Sequence, residues 1–201
     1  LDAVFISHFH PDHFGDAFNL VVARYVGDVY EGAKPKGPLL FFGPRTLEER
    51  FKTWRTLCWP EPNDHYPLTF FEGIVTHTVG PFRIETFPVK HVPWFESVGI
   101  RVIVGAKGLG YPGDIGSSHD FASLVETTRN ADLFMIETGY PHRTPNHWTL
   151  EQTEELMEAA KIKQVLLVHL RHMADEEERV KAFAEARPYV IVAEDRMVVE
   201  V

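Results

Sequence analysis

The apolar positions of this chain alternate between short continuous runs and stripes of helical spacing. Residues 3–6, AVFI, form a β-branched and aromatic run that reads as a buried strand ending at a group of histidines. Over 14–26 the residues Phe18, Leu20, Val21, Val22, Tyr25 and Val26 make a helical stripe, 27–37 reads as an exposed loop rich in Gly, Lys and Pro, and 38–43 (PLLFFG) returns to a strand. A second amphipathic pattern over 44–57 opens with Pro44, which suits the first turn of a helix. Between 60 and 105 the rhythm shortens to four strands, LTFFEG, IVTHTVG, FRIETFPV and SVGIRVIVG, parted by turns.

The second half alternates more regularly. A strand end over 109–114 precedes a helix over 117–130, an apolar strand over 131–137, and a helix over 149–161 whose Thr149 and Gln152 have the spacing of a capping box. A buried strand over 163–169, a surface helix over 175–186, and YVIVA with RMVVEV as a closing pair of strands complete the chain. Strands covered by helices with mixed connections describe a layered α/β protein. No internal repeat, low-complexity segment or composition break divides it, so 1–201 reads as a single domain.

Composition agrees: 201 residues with 44% hydrophobic content can bury one substantial core. A formal charge of −9, from 20 basic and 29 acidic residues, argues against nonspecific attraction to nucleic acid or anionic membranes, and bound cations would offset part of it. Cys58 is the only cysteine, which excludes an intrachain disulfide. No apolar run approaches the ~18 residues of a membrane span. A soluble, cytoplasmic protein is the expectation.

The chemistry concentrates in SHFHPDHFGD, residues 7–16. Alternate side chains of an extended segment face one way, so His8, His10 and Asp12 can converge, and the turn at Pro11 can bring His13 round. Two adjacent metals suit that arrangement better than one, with His8 and His10 on the first and Asp12 and His13 on the second. Imidazole and carboxylate without thiolate favour zinc, with manganese or iron as alternatives. Further ligands are sought at strand ends, where α/β sites are built: His91 after FRIETFPVK, His169 after QVLLV, and Asp114 in YPGDIG, whose carboxylate can bridge two ions. His65, His77, His119, His142 and His172 lie in polar or loop contexts and read as surface residues.

In order along the chain, HFHPDH, His91, the GD of 113–114 and VLLVHL at 165–170 resemble the motif set of the metallo-β-lactamase superfamily. The resemblance implies an αββα sandwich in which His8, His10 and His91 bind one zinc, Asp12, His13 and His169 bind the other, and Asp114 bridges both. SVGIRV, DLFMIETGY and NHWTLEQTEELMEAAKIKQVLLVHL are most similar to the ribonuclease Z and small phosphodiesterase branch, which singles out Glu137 and His147. Two departures accompany the likeness. Only residues 92–113 separate His91 from Asp114, so the long arm of tRNA-processing members is absent and the tRNA reading is weakened. The strands that normally precede HxHxDH are also missing from the sequence, which is expected to be N-terminally incomplete.

The implied reaction is hydrolysis of a small-molecule or nucleotide-type phosphodiester by a metal-bound hydroxide that Asp12 orients, with His147, backed by Glu137, protonating the leaving group. Arg171 is a candidate phosphate contact. An acyl hydrolase acting on a lactone, thioester or other ester is the alternative on the same site, and a degenerate scaffold is disfavoured because all seven ligands are present. Loops 27–37, 58–66, 92–97 and 139–148 would set selectivity, with Trp59, Tyr66, Trp94, Phe95 and Trp148 as candidates to stack a base or cover the site. Dimers are common in the branch, so a homodimer is one expectation.

Overall fold

The computed structural model describes residues 1–32, 37–59, 66–138, 140, 142–170 and 174–201. A three-stranded parallel sheet runs in the order β1 (Ala3–Phe5), β2 (Leu39–Gly43), β3 (Leu68–Glu72). The second sheet has seven strands. β4 (Thr76–Val79), β5 (Phe82–Val89), β6 (Ser97–Val104) and β7 (Lys107–Tyr111) form an antiparallel meander. β8 (Leu133–Glu137), β9 (Val165–Val168) and β10 (Val190–Val192) then add in parallel beyond β7.

The pleat of β2 explains the layering, because successive side chains leave a strand on opposite faces. Phe41 packs outward with Phe18 and Val21 of α2 (Ala17–Val29) and with Leu47 and Phe51 of α3 (Leu47–Cys58). Its neighbour Phe42 packs inward on Ile84 and Ile100 of the second sheet. That sheet in turn covers its far face, through Phe134, Ile136, Val165 and Leu167, with Leu124 of α4 (Phe121–Thr128), Leu156 of α5 (Leu150–Ala160) and Val180 of α6 (Ala174–Glu185). The result is helix, sheet, sheet, helix, and each large side chain so buried contributes roughly 1.5–3 kcal/mol.

Several local expectations are corrected. The stripe over 14–26 is the helix α2, but it starts at Ala17, after a separate short helix α1 (Pro11–Phe14) and a turn at Gly15 and Asp16, and it runs on to Val29 into the segment expected to be loop. Pro11, not Pro44, occupies a first helical turn; α3 begins after Pro44, at Leu47, behind a Thr46 in the left-handed region (φ 72°). Asp120 caps α4 by accepting from the N–H groups of Ala122 and Ser123, so that helix starts later than 117. Thr149 does accept from Gln152 N, but Gln152 Oε1 has no hydrogen-bond partner, so the box is only half formed. RMVVEV is not a strand. Residues 195–196 turn the chain, Arg196 lies at φ 66°, and Val198 is 88% exposed with no sheet neighbour among the described residues.

Candidate metal centre

The candidate ligands gather where strands end. β1 runs on through Ile6 and Ser7 to His8 and His10 and into α1, which carries Asp12 and His13. From the second sheet, β5 delivers His91, the turn after β7 delivers Asp114, β8 ends on Glu137, and β9 is followed by His169. His169 sits in the left-handed region (φ 54°), uncommon for a residue with a Cβ and a form of backbone strain that collects at functional sites.

The facing atoms divide into two groups around one carboxylate. His10 Nδ1 lies 2.9 Å from His8 Nε2 and 3.3 Å from His91 Nε2. His169 Nε2 lies 3.3 Å from Asp12 Oδ2, and His13 Nε2 is 3.6 Å from the same oxygen. Asp114 stands between them: Oδ2 is 3.8 Å from His91 Nε2, while Oδ1 is 3.3 Å from His13 Nε2 and 3.8 Å from His169 Nε2. One oxygen per group is the arrangement a bridging carboxylate needs. All seven residues expected as ligands are thus brought together.

Outer contacts turn each ring the right way. His91 Nδ1 donates to the Asn146 carbonyl at 2.7 Å, which leaves Nε2 for the cluster. Ser7 Oγ lies 3.0 Å from His8 Nδ1 and 3.4 Å from His13 Nδ1, so one hydroxyl can accept from both rings and aim both Nε2 atoms inward. Gly113, at φ 69°, permits this approach, since a Cβ there would overlap Ser7 Cβ and Oγ. Phe95 closes the inner group, its ring 5.0 Å from His10 and 5.7 Å from His8. Ser7 and the Asn146 carbonyl were not read from the sequence. The only available signal was a small polar residue in an apolar strand end, and a backbone carbonyl has none.

Electrostatics favour the ligating forms of His8, His13, His91 and Asp12. Burial, with His13 nearby, drives the His8 imidazolium down to about 2, and burial holds His13 and His91 near about 4 despite Asp12 and the Asn146 carbonyl acting the other way. These rings are neutral at pH 7, as metal ligands must be. Burial works to raise Asp12, but its own backbone N–H and His13 outweigh that and hold it below the usual carboxylate range. Asp114 is the opposite case: burial and then Glu137 push it up to about 7. Buried Asp114 Oδ1 and His13 Nε2 have no hydrogen-bond partner. A carboxyl oxygen and an imidazole nitrogen left facing the same gap are what a divalent cation satisfies, and its charge would favour the ionised form of Asp114.

Beside the cluster, His147 Nδ1 lies 2.8 Å from Glu137 Oε2, and Glu137 Oε1 accepts from Ile115 N at 2.8 Å. Glu137 is buried, and burial pushes it up to about 8. Tyr140 stacks on the His147 ring at 4.2 Å and 6°, a support that its sequence context did not reveal.

Other candidates sort differently. Trp148 is a core residue, 1% exposed; Trp59 packs on Phe18 and Tyr25; and Tyr66 donates to the Val21 carbonyl, so none of the three covers the cluster. Trp94 stays 65% exposed. His142 is exposed as expected, whereas His77 packs on Phe71 at 4.1 Å and His119 Nδ1 accepts from Lys90 N, because both sit on sheet or turn surfaces that fold back on the core. Arg171, His65 and His172 lie outside the described residues, as do parts of loops 27–37, 58–66 and 139–148.

A two-sheet sandwich carrying a His/Asp cluster at its strand ends is the architecture of metallo-β-lactamase fold proteins. The family model for the β-lactamase superfamily domain matches residues 1–170, and the chain belongs to that family. It is 30% identical over 179 residues to an uncharacterized protein of Mycobacterium leprae, covering 83% of this chain but 58% of that protein, so it spans less than two thirds of that relative. The metallo-β-lactamase fold protein YhfI of Bacillus subtilis superposes with a TM-score of 0.78 at 23% identity, over 100% of this chain and 78% of the other. The short form of human tRNase Z gives 0.73 at 18% identity, over 98% and 78%. No helix among the described residues is long and apolar enough to cross a membrane.

Proposed function

We propose that this metallo-hydrolase fold is a dinuclear, zinc-dependent phosphodiesterase. The carrying observation is the Glu137–His147 pair set directly against the seven-residue cluster, with His147 Nδ1 3.8 Å from Asp114 Oδ2. His8, His10 and His91 would hold one ion, Asp12, His13 and His169 the other, and Asp114 both. Ions held there supply the acidity that makes water a nucleophile near neutral pH and the charge that stabilises a phosphoryl group in transfer.

The chain's own residues then have distinct tasks. Asp12, whose side chain is 64% exposed, is the ligand best placed to orient an attacking water on the open side. Glu137 fixes His147 through Nδ1, so a proton carried on Nε2 is the one presented toward the substrate. That proton serves the leaving oxygen as the bond to phosphorus breaks. Acyl transfer would call for an oxyanion site in place of such a donor. The name of the structurally similar human tRNase Z denotes a nuclease, which supports phosphodiester chemistry, while the short span between His91 and Asp114 favours a small or nucleotide-type substrate over tRNA.

Turnover of bis(p-nitrophenyl) phosphate by the full-length protein loaded with Zn²⁺ or Mn²⁺ tests the reading, with an acyl-homoserine lactone and a thioester assayed beside it. Hydrolysis of the acyl substrates alone would move the assignment to an acyl hydrolase.

A further inference from the structure

Next to the centre, a trough of about 510 Å³ runs along the outward face of α3 and ends against Phe9 and Phe14. Its size suits one nucleoside, since ligand pockets run from about 300 to 1,000 Å³. Phe9 lies between His8 and His10 in the chain, and Phe14 follows His13, so the two rings are the back wall of the ligand loop. They meet edge to face at 5.5 Å, and Trp54 continues the aromatic wall 5.8 Å from Phe14.

The polar lining is equally specific. The Arg50 guanidinium lies 4.4 Å over the Phe9 ring, and its Nε donates to Thr46 Oγ1 at 3.0 Å. Thr46 is the residue before α3, where a hydroxyl ordinarily accepts from the helix's first N–H groups. It makes no such cap, and it holds a left-handed backbone that a β-branched residue rarely adopts. Both irregularities accompany one arrangement: Arg50 is held over Phe9, and its two terminal amino groups have no hydrogen-bond partner among the described residues. Arg50 makes no ion pair among the described residues, and Glu49, one residue away, brings an acceptor to the same trough.

The geometry points to a nucleobase-binding subsite: a planar ring packed against the Phe14 and Trp54 wall, its carbonyl oxygens facing Arg50 and its ring N–H facing Glu49. An arginine beside a carboxylate suits a base edge, which offers acceptors and donors together, better than a second phosphate, which Glu49 would repel. Base–aromatic stacking tolerates any sequence because every base has a π-face. The inference rests on the phosphodiester reading and deepens it, assigning substrates that carry a nucleoside on the side of the phosphate away from the leaving group.

Two esters with the same leaving group test it in the metal-loaded, full-length protein: thymidine 5′-(p-nitrophenyl phosphate) and methyl p-nitrophenyl phosphate. In both, the bond from phosphorus to p-nitrophenolate breaks and water adds, so the ratio of their kcat/KM values isolates the nucleoside. Wild type is expected to favour the thymidine ester, and Arg50→Gln and Trp54→Leu each to lower that ratio about tenfold, the scale of a lost stacking partner. Ratios unchanged in both variants overturn the subsite. Should Trp54→Leu fail to fold, Arg50→Gln decides alone, because Arg50 is exposed. Should neither ester turn over, the phosphodiester reading falls, and binding of thymidine 5′-monophosphate decides the trough: a loss of about tenfold in Arg50→Gln upholds it, and equal binding overturns it.

Discussion

The two ends of the seven-stranded sheet each bury an aspartate, and they treat it in opposite ways. At the end where β8 and β9 begin, Asp132 is met by the chain itself: Lys163 Nζ is 2.7 Å from Oδ1, Lys107 Nζ is 3.6 Å away, and Gly108 N donates to Oδ2 at 2.9 Å. The Lys163 bond and the Gly108 N–H hold that carboxyl below its ordinary range. At the end where the same strands finish, Asp114 faces histidines and a second acid, with no lysine or arginine among its partners within 4.0 Å in the described residues, and it is pushed up. One end closes its electrostatics internally and serves stability. The other leaves them open for a cation, as expected where ligands bind at the carboxyl ends of sheet strands.

The largest effect should come from the open end. Asp114→Ala removes the residue shared by both ligand groups, and turnover should fall about a thousandfold, the loss of several kcal/mol of charge stabilisation. Metal analysis of the purified variant should show both ions depleted; two ions retained at wild-type affinity would remove the contrast between the ends. Chelation tests the same point without mutation. Stripping the metals should lower unfolding stability by about 3–4 kcal/mol for each ion lost, relative to protein held at 100 to 1,000 times the dissociation constant, and added Zn²⁺ should restore it. Denaturant melts that superpose with and without chelator would mean the cluster does not depend on cations.

Ser7→Ala sharpens the picture within the open end. Because Ser7 Oγ serves His8 and His13, which belong to different groups, metal affinity should drop by about 10 to 100-fold at both ions. A competition titration that weakens only one step would refute the shared hydroxyl. The smallest effect is expected at the closed end. A carboxyl held below its unfolded value stabilises fully above the ordinary aspartate range, near ~3.9, and loses that contribution as pH falls through the folded value. Asp132→Asn should therefore lower the melting temperature at pH 7 and converge with wild type in acid; a gap that widens on acidification would contradict the pairing.

Much of the centre was legible because strand periodicity is simple. His8 and His10 share a side by alternation, His91 and Asp114 each follow a segment that read as a strand, and His169 follows an apolar run that read as a buried one. The surface-histidine reading held only in part at His77 and His119, which are half-buried, because exposure depends on what folds over a residue. RMVVEV read as a strand for the matching reason: β-branched composition shows a capacity to pair, while pairing requires a neighbouring edge. Thr149 and Gln152 had the spacing of a capping box, yet spacing cannot say where the Gln152 side chain turns.

By itself the sequence determined a layered α/β protein and the identity of the seven clustered residues, since both follow from local period and residue chemistry. The helix, sheet, sheet, helix order was an expectation carried by the family resemblance. Only the tertiary structure decided how they act together. That Asp114 offers one oxygen to each group, that Ser7 serves two rings, and that Glu137 holds His147 all depend on β1 and the seven-stranded sheet ending at one place. Those contacts join residues up to 157 positions apart, as His169 and Asp12 are, and no local pattern encodes a distance between chain segments that only packing brings together.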